Sequence, residues 1–314
     1  MKNSILDVIN NSDSILLLTH EKPDGDAIGS VMAMYNVLKD MNKTVDVVIP
    51  EVPPVFNFLD SINKVVDKSN KKYDLVITCD CSTKERLGQL NNEFDNCKHS
   101  IVIDHHVSNT NYGEINYVDG SISSCCQIIY YLLKEWNINY TLEIGEALTT
   151  GMLTDTNGFA NCNVDKNTFF MAAELLDTGI DFHNIYYTVL SKCNKAQHLL
   201  RKIVIDRLEF YADGKIAFSY ITKEDLENVG ALPGDHEGLV DIGRNIEGVE
   251  VSIFIREDDG YRVSFRSNGK VLVNSIASKF GGGGHDMAAG ATIDASFEET
   301  KKMLLDETIK EFMK

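Results

Sequence analysis

The sequence predicts a two-domain α/β protein. An N-terminal domain built on a parallel sheet covers residues 1–190, a linker helix spans 191–206, and a smaller C-terminal α/β domain with a mixed sheet covers 207–314. Three observations lead to this reading. Up to about residue 190, short apolar runs alternate with stretches of helical periodicity, the pattern of βαβ units around a buried sheet. Beyond about residue 196 the texture changes to runs that alternate apolar and polar residues, as antiparallel strands do. At 314 residues the chain is also long enough for two separate cores.

Ile15-Leu16-Leu17-Leu18 reads as the first buried strand. It ends in Thr19-His20 and a loop from Glu21 to Asp26, after which Ile28, Val31, Met32, Tyr35 and Leu38 recur at helical spacing. Gly25 lets that loop turn tightly, so Asp24 and Asp26 can face one point. Two readings are open here: a metal-ligand cluster at the strand's carboxyl end, or a turn in which an Asp caps the helix and His20 is an ordinary surface residue.

VDVVI at residues 45–49 is a second strand, and Pro50, Pro53 and Pro54 forbid a long helix after it. LVIT at 75–78 is a third, ending in Cys79-Asp80-Cys81; IVI at 101–103 is a fourth, ending in Asp104-His105-His106; and 115–118 is a short fifth. Helical periodicity then covers 128–136, 142–153 and 166–176, the second of these running into Asp155 and a Gly158 stop. Residues 199–209 fit either a connecting helix or the start of a strand. Residues 215–221, 249–255 and 262–265 read as antiparallel strands, with Asp259-Gly260 as a hairpin turn, and a helix at 271–280 runs into Gly281-Gly282-Gly283-Gly284-His285.

Composition narrows the class. The net charge of −17 argues against a protein that tracks long nucleic acid, which needs a basic stripe to neutralise many phosphates. A short phosphorylated ligand remains compatible, because bound cations and a local arginine cluster reverse the field at one site. The 7 cysteines form no CxxC pair and read as reduced, mostly buried thiols rather than disulfides or a zinc site. No secretory leader or membrane span is evident, so the expected location is the cytoplasm, with no membrane partner.

Three predicted strands therefore end in metal-type ligands: His20 with Asp24 and Asp26, Asp80, and Asp104 with His105 and His106. Asp155 closes a helix further on. Carboxylates and imidazoles suit Mn²⁺, Fe²⁺, Co²⁺ or Mg²⁺, and so many carboxylates favour two ions over one, the arrangement that supports in-line phosphoryl displacement.

This set resembles the DHH phosphoesterase superfamily, whose motif is matched by Asp104-His105-His106 with His20-x-x-x-Asp24-x-Asp26, Asp80 and Asp155. Gly281–His285 followed by Ala288-Ala289-Gly290 resembles the signature of its accessory domain, DHHA1. The resemblance covers nearly the whole chain, and it is most like the bacterial bifunctional oligoribonucleases that also remove the 3′-phosphate of phosphoadenosine phosphate. It implies His20 and Asp24 on one metal ion, Asp26, His105 and Asp155 on the other, and Asp80 bridging. The two divalent ions are expected to be Mn²⁺, with Mg²⁺ or Co²⁺ as alternatives. It also implies that His106 contacts the scissile phosphate or acts as general acid. Asp104 either orients a neighbouring histidine or caps the backbone. In the accessory domain, Gly282, Gly283, Gly284 and His285 would cradle an anionic group, and Arg266 would bind substrate phosphate. Arg262 shares Arg266's face, but a solvated strand residue is the simpler reading of it, and Arg244 is a weaker candidate. Phe159 could stack on a base, or sit in the core; His236 fits no motif.

The expected activity is hydrolysis of short oligoribonucleotides and of the 3′-phosphate of phosphoadenosine phosphate. The alternative is a phosphodiesterase for linear or cyclic dinucleotides (pApA, pGpG, cyclic di-AMP), and a third reading is a non-catalytic nucleotide sensor. Expected partners are short RNA or nucleotide substrates, with a homodimer allowed for.

Overall fold

The structure is a computed structural model that describes residues 2–312. Its contacts divide it into two compact units, residues 1–192 and 193–314.

The first unit begins with helix α1 (Lys2–Asn10) and strand β1 (Ser14–Leu18), then α2 (Gly25–Asp40), β2 (Thr44–Val48), β3 (Val65–Val66), β4 (Leu75–Cys79), α3 (Asn91–Asp95), β5 (His99–Asp104) and β6 (Ile115–Val118). It is completed by α4 (Cys125–Glu135), α5 (Leu142–Asp155), α6 (Lys166–Leu176) and α7 (Phe182–Tyr186). All neighbouring strands run parallel, in the order β3-β2-β1-β4-β5-β6. Both sheet faces are covered, which is why the central strands are largely apolar. Ile15, Leu17, Leu75, Ile77, Ile101 and Ile103 pack with the helices of the larger core. Leu16, Leu18 and Val76 pack on the other side with Leu87, Leu90 and Phe94. The chain leaves β1 toward β2 on one side and returns to β4 on the other, so the carboxyl ends of β1 and β4 flank a topological switch point, where ligands of open α/β sheets bind.

Helices α2 and α5 come unusually close above that edge. A Cβ on Gly29 would lie 2.4 Å from the Ala147 carbonyl oxygen. One on Gly151 would lie 2.2 Å from Cys126 Sγ and 2.6 Å from Asp26 Oδ1. Gly151→Ala is therefore expected to destabilise the protein by about 1–3 kcal/mol, the scale of core overpacking, lowering Tm by several degrees. Because the clash is with Asp26 itself, the variant should also lose activity at temperatures where it is fully folded.

The second unit comprises α8 (Lys195–Asp206), β7 (Glu209–Tyr211), β8 (Ile216–Ile221), α9 (Lys223–Val229), α10 (Val240–Arg244), β9 (Val251–Asp258) and β10 (Gly260–Ser267). It continues with α11 (Val273–Lys279), β11 (Gly283–His285), β12 (Ala288–Ile293) and α12 (Phe297–Phe312). Its sheet order is β11-β12-β10-β9-β8-β7. Residues 215–221, expected as an antiparallel strand, form β8, which pairs antiparallel with β7 on one side and parallel with β9 on the other, and this makes the sheet mixed. Alternation reports that a strand is covered on one face, not which way its neighbour runs. Of the stretch 191–206, expected as a linker helix, residues 195–206 fold as α8 within this unit: the apolar stripe of Leu200 and Val204 packs on Ile221, Leu239, Val240 and Phe254.

The two sheet faces differ in cover. Ile253, Ile255, Val263 and Phe265 point to α11 and α12. On the opposite face α8 packs over β8, and α10 lies over β8, β9 and part of β10. Over the rest of β10 and over β12 that face is left open as a cavity of about 780 Å³.

Candidate active site

Three loops at the carboxyl edge of the first sheet, with the end of α5, bring the predicted ligands together. Asp24 caps α2: its carboxylate accepts from the Asp26 and Ala27 amides at 3.0 and 3.1 Å. The capping reading and the ligand reading are thus compatible, since one oxygen makes both of these bonds. Asp26, in the first turn of α2, is buried, and its two oxygens accept from the amides of Cys125 and Cys126 at 2.6 and 2.9 Å. The amino end of α4 therefore fixes its orientation and favours its charge.

Asp80 follows β4 with φ +54°, a left-handed conformation that Asp adopts more readily than most residues. It faces both sides of the cluster: Oδ2 lies 3.7 Å from His20 Nε2 and Oδ1 lies 3.6 Å from His105 Nε2. His105 Nε2 is also 3.8 Å from Asp26 and 3.5 Å from Asp155. Two ligand groups result, His20-Asp24-Asp80 and Asp26-His105-Asp155, each with its ligand atoms within 4.8 Å of one another. A third grouping, Asp80-His105-His106, is equally close. In His20 and His105 the other ring nitrogen faces a backbone carbonyl, of Glu21 at 2.8 Å and of Ile122 at 3.3 Å. Such contacts hold imidazoles with Nε2 toward a metal.

Asp104 does both things expected of it. One oxygen accepts from the His105 amide at 2.9 Å and from His106 Nδ1 at 2.7 Å, and the other accepts from Asn109 at 2.5 Å. Since Nδ1 of His106 donates to Asp104, Nε2 is the ring atom left for a ligand. That bond lifts the His106 pKa above the usual histidine value. Burial works against ionisation of Asp104, but the bonds from His106 and Asn109 outweigh it and hold its carboxyl below the usual range.

The cluster fits divalent cations on its own chemistry. Asp80 Oδ1 is buried without a hydrogen-bond donor. Burial, then the charges of Asp80, Asp155 and Asp24, push the Asp26 carboxyl well above its ordinary value. Burial likewise raises Asp155 to about 6, against the opposing pull of His105. Clustered carboxylates of this kind call for positive charge between them, and oxygen and imidazole donors suit Mn²⁺, Mg²⁺ or Co²⁺.

In the second unit the open sheet face collects positive charge. Arg262 and Arg266 both line the cavity, and so does Arg256, directly opposite Arg262 across the β9–β10 pair. His236 and Asp241 stand on the wall formed by the segment before and within α10. Gly281 and Gly282 are on the rim, whereas Gly283, Gly284 and His285 are not part of the lining; they form the edge strand β11. Close approach explains that: a Cβ on Gly282 would lie 2.1 Å from the Gly290 carbonyl oxygen, so glycine lets the hairpin close on β12. Arg244 is engaged by Asp241, 3.0 Å away. Phe159 sits half-buried at the edge of the first core, stacked on Phe169 at 5.1 Å. Sequence reasoning missed Arg256 and Asn109 and set His236 aside. Only the register of the β9–β10 hairpin could have picked out Arg256.

Comparison with known proteins bears on both units. Residues 14–154 match the DHH family, N-terminal domain, and residues 213–314 match the DHHA1 domain. The chain is 30% identical over 319 residues to the bifunctional oligoribonuclease and PAP phosphatase NrnA of Bacillus subtilis, covering 98% of this chain and 97% of that protein. It is 30% identical over 302 residues to the protein of the same name from Thermus thermophilus, covering 93% and 90%. A crystal structure of an exopolyphosphatase-related protein from Bacteroides fragilis matches with a TM-score of 0.90 at 27% identity, over 98% of this chain and 95% of that one. Near-complete coverage at this identity, with each unit matched by its own domain, means that the chain belongs to the DHH family, carries a DHHA1 domain, and is a phosphoric ester hydrolase.

Proposed function

We propose that this hydrolase degrades short oligoribonucleotides and removes the 3′-phosphate of phosphoadenosine phosphate, using two divalent ions, Mn²⁺ by preference. The observation that carries the reading is the convergence of His20, Asp24, Asp26, Asp80, His105 and Asp155 at the sheet's switch point. His20 and Asp24 would hold one ion, Asp26, His105 and Asp155 the other, and Asp80, with an oxygen toward each side, would be shared. Such a pair of ions supplies Lewis acidity for phosphoryl transfer. The chain's own groups do the rest. Asp104 fixes the His106 ring and keeps it protonated at Nδ1, so that Nε2 can deliver a proton or hydrogen bond to the ester oxygens. The amides of Cys125 and Cys126 hold Asp26 in one orientation. In the second unit, Arg266 and the Gly282 rim offer a site for an anionic end of the substrate. The name borne by the Bacillus and Thermus relatives supports this choice of substrates.

Turnover measured side by side in Mn²⁺ with a five-nucleotide RNA, phosphoadenosine phosphate, pApA, cyclic di-AMP and pyrophosphate tests it. The expected result is cleavage of the RNA and of phosphoadenosine phosphate. Exclusive use of a dinucleotide would move the enzyme to the dinucleotide reading, and binding without turnover would overturn the proposal.

A further inference from the structure

We infer that the second unit holds two separate anion positions rather than one, the additional one formed by Arg256, Arg262 and His236, so that it binds a ligand carrying two well-spaced phosphates. The inference rests on the proposed action on oligoribonucleotides.

Arg256 and Arg262 are directly opposed on the open face of an antiparallel pair. Like charges so placed repel, and one carboxylate serves both: Asp258 Oδ2 is 3.3 Å from Arg256 and 2.8 Å from Arg262. Two guanidinium groups face this one partly exposed carboxylate, and Glu237 stands on the cavity wall beside His236. Arg256 is also mostly buried, with a side chain 19% exposed, so its charge is poorly screened by water. His236 completes the group. Burial first, then the charges of Arg256 and Arg262, hold its pKa below the usual value, so it meets a ligand as a neutral donor or acceptor.

The second position is at Arg266. It lies four residues from Arg262 on the same strand, a separation of about 13 Å at ~3.3 Å per residue. The two side chains also lean apart. Arg262 turns to Asp258 at the hairpin end, whereas Arg266 turns to Asp241 of α10, 3.8 Å away. One phosphate does not span both positions. A cavity of about 780 Å³ has room for a nucleotide between them. The ligand class is thus an oligonucleotide with a terminal phosphate at one position and a later phosphodiester at the other. A mononucleotide fills only one position.

Kinetics of the full chain with Mn²⁺ test this, using 5′-phosphorylated tri- and pentaribonucleotides against phosphoadenosine phosphate. Arg256→Gln should raise KM for the oligonucleotides about tenfold or more with kcat unchanged, and lower the salt dependence of kcat/KM by about one unit of log–log slope. KM for phosphoadenosine phosphate should stay within about twofold. His236→Ala, which removes no charge, should reproduce the KM effect without the change in salt slope. If both variants melt as the wild type does and KM is unchanged, or rises equally for every substrate, the second position does not exist. Failure of the wild-type chain to cleave the oligonucleotides would instead overturn the proposed function.

Discussion

Asp80→Asn is expected to lower turnover by on the order of 10³-fold or more, while making the metal-free protein more stable than wild type. The two effects have one cause. Asp80 is 2% exposed, and its Oδ1 has no hydrogen-bond donor, within reach of His105 and among the carboxylates of Asp24, Asp26 and Asp155. Holding a carboxylate there without cations costs stability, and an unsatisfied buried polar atom alone costs about 1–3 kcal/mol. Asparagine keeps the shape and tolerates the left-handed backbone at φ +54°, yet carries no charge. The rate loss is of the size found when a group that stabilises transition-state charge is removed. Thermal melts in chelator and assays in Mn²⁺ read the two halves independently. A variant that keeps wild-type turnover would sink the bridging role of Asp80, and one that melts well below wild type would show that its charge is satisfied within the fold.

Divalent cations are expected to raise Tm on the order of 10 °C at neutral pH and by much less at pH 5. Burial raises the Asp155 carboxyl to about 6 in the folded protein, against about 3.9 when unfolded, and burial raises Asp26 in the same direction. A group with a raised folded-state pKa binds more protons folded than unfolded between those two values. Stability of the metal-free protein therefore falls as pH rises through that interval, from about 4 to about 6. Above it Asp155 is ionised beside the other carboxylates of the cluster, and a cation that binds only the folded state removes the penalty. Occupancy at a thousand times Kd stabilises by about 4 kcal/mol, and each kcal/mol moves Tm by about 2–4 °C in a unit of this size. Below pH 5 protons compete for the same oxygens. Calorimetry at pH 5 and pH 7.5 with and without Mn²⁺ checks this, and equal shifts at both pH values would contradict it.

Much of the first unit was legible because its signals are local. An apolar run that ends in His20, Asp80 or Asp104 states both the strand and the edge at which its ligand lies. What was not legible depends on pairs far apart in sequence. The amides that hold Asp26 come from 99 and 100 residues away, and nothing near Asp26 announces them. In the second unit, a two-residue turn at Asp259-Gly260 would set Glu257 opposite Arg262. The hairpin is tighter by one step, pairing Asp258 with Gly260, and puts Arg256 there instead. A slip of one residue exchanges the faces of a strand, so the charge of the whole cavity turned on a register that composition does not reveal. The glycine run reads as a cradle because glycine exposes backbone, and at Gly282 the absent side chain also serves the approach of β12.

The spacing of the ligands along the chain also bears on how the protein is made. His20 and Asp24 leave the ribosome early, whereas Asp155 is the last residue of α5, which must already be packed against α2 for its carboxylate to reach His105. No fragment shorter than about the first half of the chain can present a full ligand set. A nascent chain arrested before Asp155 has emerged would hold the His20-Asp24-Asp80 group but lack the complete candidate metal site.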